Sequence, residues 1–411
     1  MQTSLSEDLL QTRAGREADE ILRNCVHCGF CNATCPTYQL TGDELDGPRG
    51  RIYLIKQVLE GRPPGEQTRL HLDRCLTCRA CETTCPSGVD YHRLLDTGRE
   101  LTAQALPRTV PQRLLRLALR RIFTQPWLFT ALLRTGQHLR PFLPGTLRAR
   151  IPARQPATPP RGAGAHTART MLLLDGCVQP ALAPQINRAT RDVFGALGIE
   201  LVTARKAGCC GALSHHLDAQ AEAQAFMRRN IDAWWPHIEA GAEAIIITAS
   251  GCAPMVKDYG HLLADDPAYA ARAMRVSELA RDLSEVVAAE QPERALGKAA
   301  ATRIAFHSPC TLQHGQRITG VVEGLLGRLG YTLTPVADSH LCCGSAGTYS
   351  ILQPVLATRL RENKLAALQQ GAPALIATAN IGCHQHLAGA AGVPVVHWIE
   401  LLSNLLPETT P

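Results

Sequence analysis

The sequence predicts an α+β multidomain chain, in which a mainly helical, cysteine-rich domain is followed by two duplicated α/β domains. Three observations predict it. Eight cysteines stand in two identical runs within the first 100 residues; beyond about residue 170, β-branched and leucine runs alternate with helical patterns; and the cysteines of that second part recur at near-constant offsets. At 411 residues and 45% hydrophobic, the chain can bury a sizeable core, and the usual domain size of roughly 100–200 residues suggests two to four domains.

Residues 1–100 come first. Their opening, MQTSLSEDLLQTRAGREADE, is polar and mixed in charge, reads as helix, and carries no secretory or twin-arginine signal. A reducing, cytoplasmic setting is therefore expected, where clustered cysteines are more often metal ligands or redox groups than disulfides. The pattern RIYLIKQVLEG at 51–61 predicts a helix between the two cysteine runs, stopped by Gly61 and Pro63. Tyr53 and Lys56 on that helix read as packing and solvated surface.

Cys25-x2-Cys28-x2-Cys31-x3-Cys35-Pro36 and Cys75-x2-Cys78-x2-Cys81-x3-Cys85-Pro86 both have the spacing of bacterial two-cluster ferredoxins. A cubane offers four irons at its corners; a tight C-x2-C-x2-C loop delivers thiolates to three, and a distant residue supplies the fourth. By the crossed rule for such proteins, Cys25, Cys28, Cys31 and Cys85 hold one [4Fe–4S] cluster, and Cys75, Cys78, Cys81 and Cys35 hold the other. Crossing puts the two clusters at a distance suited to rapid electron transfer. A pair of zinc ribbons is the competing reading, disfavoured by two runs of four cysteines that each end in Pro.

Residues 101–168 form an arginine-rich helical segment and linker. Between Glu100 and Asp175 there is no Asp or Glu but there are twelve Arg; without them the chain holds 30 basic against 36 acidic residues, so its basicity is local. In RLLRLALRRIFTQPWLFTALLR, leucines and aromatics interleave with arginine at helical spacing, which suits a basic helix lying on an anionic membrane surface or docked on acidic protein. Residues 108–150 are thus a candidate peripheral membrane and quinone contact, at the inner face of the cytoplasmic membrane. No nucleic-acid partner is expected. No apolar run approaches the ~18–20 residues of a membrane span. A domain boundary is expected in the tail PARQPATPPRGAGAH, near 155–168.

Residues 169–295 and 296–411 are read as two cysteine-rich repeats, each a parallel sheet flanked by helices. Cys177, Cys209, Cys210 and Cys252 are answered by Cys310, Cys342, Cys343 and Cys383, at offsets of 133, 133, 133 and 131. GCCG at 208–211 is answered by CCG at 342–344, and ITASGC at 247–252 by ATANIGC at 377–383. Loops at the carboxyl ends of parallel strands are where α/β folds build sites, so the duplication predicts two similar four-thiol pockets, facing or stacked about a pseudo-twofold axis. Their contents stay open between a further iron–sulfur centre, redox thiols and inert buried cysteines.

A CCG triplet with one cysteine about thirty residues before it and another about forty after it resembles the cysteine-rich domain of heterodisulfide reductase and related oxidoreductase subunits. In its fullest form that domain ends in C-x-x-C, giving five thiols; here Ala249 and Asn380 stand in the extra position, which puts a five-thiolate cluster in doubt. HSPCTLQHGQ at 307–316, LCCGSAGTYS at 341–350, ANIGCHQHLAGAAGVPVVHWIELL at 379–402, CVHCGFCNATCPTY and GDELDGPRGRIYLIKQ are together similar to the iron–sulfur subunit of glycolate oxidase (glycolate dehydrogenase).

The resemblance implies an electron-transfer subunit of an oxidoreductase complex. Flavin-binding partner subunits would oxidise glycolate to glyoxylate, and this chain would carry the electrons to a quinone or another acceptor, with no catalytic substrate site of its own. The alternatives are the equivalent subunit of a lactate or glycerol-3-phosphate dehydrogenase or of a heterodisulfide reductase-like system, and, in another class, a cluster-based redox sensor. The second repeat also holds His307, His314, His340, His384, His386 and His397. A histidine can ligate iron or carry a proton to a quinone; His307 and His384 lie nearest the cysteines, and the bland reading for each is a satisfied loop or helix-end histidine.

Overall fold

The computed structural model describes residues 1–148, 151–154 and 169–407. The tail expected to hold a boundary, near 155–168, lies outside the described residues.

The N-terminal part is helical, as expected. Helices Arg13–Asn24, Pro48–Leu59, Glu66–Asp73 and Tyr91–Ala105 close around Ala18, Leu22, Ile52, Ile55, Leu72, Leu94 and Leu95. The helix predicted over 51–61 begins at Pro48, whose fixed φ suits a first helical position, and ends before Gly61 at φ 85°. Its partner crosses it at Gly98: a Cβ there would sit 2.6 Å from Ile55, so only glycine lets the two helices come this close. The arginine-rich stretch forms two helices, Val110–Thr124 and Pro126–Leu139, because Pro126 supplies no N–H and pushes Gln125 into extended backbone.

Two four-stranded, all-parallel sheets follow. The first contains β1 (Arg169–Leu174), β2 (Ile199–Val202), β3 (Ile245–Ile247) and β4 (Ala280–Asp282) in the order β2-β1-β3-β4. The second contains β5 (Arg303–His307), β6 (Thr332–Leu333), β7 (Leu375–Thr378) and β8 (Val395–His397) in the equivalent order β6-β5-β7-β8. Parallel pairing needs crossover helices, and these cover both sheet faces, which is why β3 reads as three consecutive buried isoleucines. The duplication extends to the helix starts: β4 and β8 each run into a helix opened by a capping box, Asp282 with Glu285 and His397 with Glu400.

The sheets share a core. Helix Pro184–Ala196 of the first packs on helix Trp398–Ser403 of the second, and Val193, Phe194, Leu325, Trp398 and Leu402 belong to one buried cluster. The loops after β3 and β7 also touch, the Ser250 N–H donating to Ala379 O at 3.1 Å and the Gly251 N–H to Asn380 Oδ1 at 3.3 Å. The two cysteine-bearing ends therefore lie against each other.

Candidate metal centres

Each C-x2-C-x2-C loop is turned by residues with positive φ, His27 and Gly29 in the first and Thr77 and Arg79 in the second. These left-handed steps double the backbone back, so that successive thiols point to one side. The structure brings Cys25, Cys28 and Cys31 together with Cys85 around one pocket, walled by Val26, Phe30, Ile52 and Val89. It brings Cys75, Cys78 and Cys81 together with Cys35 around another, walled by Leu76, Arg51 and Tyr91. Cys81 lines both, so the two sets adjoin.

The donor chemistry fits iron–sulfur clusters. All sixteen cysteines are free thiols. Burial, and then the neighbouring Cys25, Cys85 and Cys28, push the Cys31 thiol up to about 11. Burial raises Cys78 and Cys81 well above the ordinary thiol range, with the neighbouring sulfurs adding to it. Four thiols crowded in a low dielectric resist ionising together, and a bound cation reverses that balance by deprotonating its ligands outright.

Behind the second set lies a buried ionic network that the sequence reading missed. Arg51, 1% exposed, approaches Cys35 Sγ through Nη1 at 3.9 Å and donates to His71 O at 2.7 Å and Thr37 Oγ1 at 3.1 Å. Asp46, fully buried, lies 3.7 Å from Arg51, 2.8 Å from His71 Nδ1 and 2.9 Å from Arg74. Tyr91 donates to Cys75 Sγ at 3.7 Å. Hydrogen bonds and cations at sulfur tune a cluster's potential. Asp46 and Arg51 both lie in the segment GDELDGPRGR, whose mixed charges do not by themselves show that it folds behind Cys35.

In the repeats the four thiols converge as the duplication predicts. In the first, Cys209 neighbours both Cys177 and Cys210, and Cys210 neighbours Cys252. In the second, Cys310 Sγ lies 3.7 Å from Cys342 Sγ, and Cys343 neighbours Cys342 and lies within 4.8 Å of Cys383, sulfur to sulfur. The CCG glycines explain the motif. Gly211 and Gly344 have φ of 92° and 88°, and each N–H donates to the first cysteine of its pair, at 3.5 Å and 3.4 Å. A Cβ would meet the long helix that follows, Gln220–Glu239 or Pro354–Gln369, 3.0 Å from Ala223 O or 2.7 Å from Ala357 O.

The second repeat meets the N-terminal domain at its thiols. Cys78 stands against Cys310 and Cys342, and Leu76, Cys78, Cys310, Cys342 and Tyr349 share one apolar cluster. His314 ties the junction, Nδ1 to Thr83 Oγ1 and Nε2 to His340 O, both at 2.8 Å. The first repeat docks differently, through His215 Nε2 on Asp96 at 2.9 Å and Arg93 on Asp258 at 2.9 Å.

Of the two preferred histidines, only His307 reaches the thiols, lying with Cys343 and Cys383. Its burial lowers the imidazole to about 3, so the ring is neutral. His384 is occupied with Gln385 at 3.1 Å, His386 with Ala357 O at 3.3 Å, and His397 with Thr248 O at 3.1 Å.

Comparison with known proteins agrees with this architecture. A 4Fe-4S dicluster domain matches residues 21–89, and a cysteine-rich (CCG) domain matches twice, at 171–257 and 304–388. The chain is 56% identical to the glycolate oxidase iron-sulfur subunit of Escherichia coli (strain K12), over 99% of this chain and 100% of that one. It is 30% identical to the probable glycolate oxidase iron-sulfur subunit of Bacillus subtilis (strain 168), over 88% and 87% respectively. Lactate utilization protein A of Bacillus licheniformis is 25% identical over 56% of this chain and 96% of its own. A hypothetical protein from Helicobacter pylori shares the fold, with a TM-score of 0.53 at 11% identity, covering 98% of this chain and 76% of that one. Identity of 56% along the whole length, with a dicluster domain and two cysteine-rich domains matched, makes this chain a member of the family of glycolate oxidase iron–sulfur subunits, components of an oxidoreductase complex that hold iron–sulfur clusters.

Proposed function

We propose that this chain is the electron-transfer subunit of a glycolate-oxidising complex, taking electrons from a flavin on a partner subunit and delivering them to a quinone. The observation that carries the reading is the junction at Cys78, where the second ferredoxin-type set stands against Cys310 and Cys342 of the second repeat. Cys25, Cys28, Cys31 and Cys85 would hold one [4Fe–4S] cluster and Cys35, Cys75, Cys78 and Cys81 the other, each supplying a one-electron centre when bound. The work divides over 1–100 for the clusters, 101–168 for attachment, and 169–295 and 296–411 for the two repeats.

The chain's own groups set the conditions for transfer. Leu76, Tyr349 and Leu360 exclude water between Cys78 and Cys342, while Arg51 and Tyr91 direct donors at Cys35 and Cys75 and favour the electron-richer state. Full-length identity to a glycolate oxidase subunit favours glycolate over lactate, whose relatives match little more than half of the chain.

Attachment follows from the two faces of the arginine-rich helices. Arg108 binds Asp73 and Asp218, Arg116 reaches the same two acids, and Arg120 binds Glu222, so one face is docked within this chain. The opposite face leaves Val110, Leu114, Leu117 and Trp127 exposed beside Arg113 and Arg121. Among the described residues no helix is long and apolar enough to cross a membrane. An exposed apolar and cationic face suits peripheral contact with an anionic leaflet, where a quinone is dissolved.

The test is anaerobic reconstitution. Glycolate should reduce the chain's visible iron–sulfur absorption only when the flavin-bearing partner is present. Glycolate oxidation by the purified chain alone, or no bleaching with the partner, would overturn the proposal.

A further inference from the structure

We propose that His307 is a metal ligand: with Cys310, Cys342, Cys343 and Cys383 it makes the second repeat a four-thiolate, one-imidazole site for an iron–sulfur centre, which the first repeat cannot match. The duplication itself points to it. β1 and β3 end on the pair Leu174–Ile247, whereas β5 and β7 end, at the equivalent register, on His307–Thr378. A polar pair has replaced an apolar one beneath one pocket only.

The His307 ring is 2% exposed; Nδ1 is held by Thr378 Oγ1 at 2.9 Å, and Nε2, also buried, has no hydrogen-bond partner. A nitrogen of this ring lies within 4.8 Å of both Cys343 Sγ and Cys383 Sγ, themselves equally close. A buried polar atom left without a partner is destabilising, and such exceptions in native structures call for a reason. Here the reason lies beside it: an imidazole lone pair next to thiols is the donor set of a soft transition metal. Thr378 fixes the ring as outer-shell partners fix metal-bound histidines, leaving Nε2 as the ligating atom.

Two further features support the assignment. Asn380, in the place of the fifth cysteine of related domains, is already engaged: Nδ2 donates to Cys383 Sγ at 3.4 Å, and Oδ1 accepts from the Gly251 N–H at 3.3 Å. A fifth donor has to come from elsewhere, and the end of β5 provides one. Five donors also exceed the four that a structural zinc ion takes, which favours a cluster. On binding, the cysteine protons are released to solvent and the neutral imidazole loses none.

The experiment uses the full chain, purified anaerobically with and without 15N-histidine, and reads iron, sulfide and zinc content and pulsed EPR in oxidised and reduced states. A directly bonded nitrogen coupling that changes with 15N is expected. His307→Leu should abolish it and lower iron to the content of a Cys342→Ser/Cys343→Ser variant, while His307→Cys should keep the iron and lose the coupling. His384→Leu should change neither. The proposal is overturned if no such coupling appears, if it survives His307→Leu, if zinc rather than iron is lost, or if wild type holds no more iron than the Cys342→Ser/Cys343→Ser variant. None of these readouts depends on glycolate or on a partner, so they separate this proposal from the electron path above.

Discussion

The two repeats share a strand order, a CCG turn and four converging thiols, yet their surroundings differ. Behind the first set lie Leu174 and Ile247; behind the second lie His307 and Thr378, and buried Lys364 faces Cys342, Cys343 and Cys310. Cys78 of the N-terminal domain faces Cys310 and Cys342, whereas the first repeat meets that domain through the Asp96–His215 and Arg93–Asp258 pairs. Duplication made two copies of a thiol pocket. The copies differ at the strand ends and at the docking surface, and the proposed electron path continues through the second, whose thiols face Cys78.

The largest effect should come from cutting that continuity. Cys78→Ser should remove about four irons and abolish glycolate-driven turnover of the complex, while Cys177→Ser, away from the junction, should leave the N-terminal iron intact. Iron analysis and activity on the same preparations check both. Unchanged iron in Cys78→Ser would break the comparison at its root.

Arg51→Leu removes one of three partners of buried Asp46, leaving His71 and Arg74, so it should cost less than the about 3–5 kcal/mol of breaking a buried pair outright. It should also lower the potential of the centre held by Cys35, because a cation beside sulfur is lost. Lys364→Met should lower only the potential of the second repeat's centre. Denaturant unfolding and redox titration measure the two consequences separately.

The CCG glycines sharpen the comparison further. Alanine at a positive-φ site destabilises by more than ~1 kcal/mol, and Gly344→Ala should cost more than Gly211→Ala. At Gly344 the new Cβ would meet Ala357 O at 2.7 Å and Leu360 at 2.8 Å, against 3.0 Å from Ala223 O at Gly211. Equal losses on unfolding would remove that distinction.

The smallest effect concerns pH. Burial opposes the charging of His215, but Asp96, with Asp258 adding to it, raises its pKa above the ordinary value. Its contribution is full below about pH 6.5 and is lost as pH rises through the raised value. His314 goes the other way: burial, opposed by its hydrogen bond to the His340 carbonyl and by Glu82, lowers it, so its contact weakens as pH falls below about 6.5. Hydrogen exchange at 212–216 and at 310–316 between mildly acid and mildly alkaline pH should therefore change in opposite directions.

Much of this was legible in the sequence because it is local or periodic. The ferredoxin-type spacing states its chemistry within eleven residues of chain, and near-constant offsets revealed the duplication without knowledge of the fold. What escaped depends on register and packing. Cys383 and His384 are neighbours in sequence, but successive side chains diverge by about 100° around a helix, so His384 turns to Gln385 and the carbonyl of Val395. His307 reaches the thiols because it ends β5 directly beside β7. The arginine-rich stretch allowed either docking or membrane contact, and the structure assigns Arg108, Arg116 and Arg120 to docking while leaving the Leu114 face exposed. Asp46 and Arg51 gave no sign of their role, since nothing in a linear sequence places them behind Cys35.

The most direct test of the second repeat as the continuation of the electron path is freeze-quench EPR on the assembled complex during glycolate turnover. Cys342→Ser/Cys343→Ser and Cys209→Ser/Cys210→Ser variants would be compared. The account predicts that the second-repeat variant accumulates reduced N-terminal clusters and stops turning over, while the first-repeat variant keeps reoxidising them. Reoxidation at the wild-type rate in the second-repeat variant would contradict it.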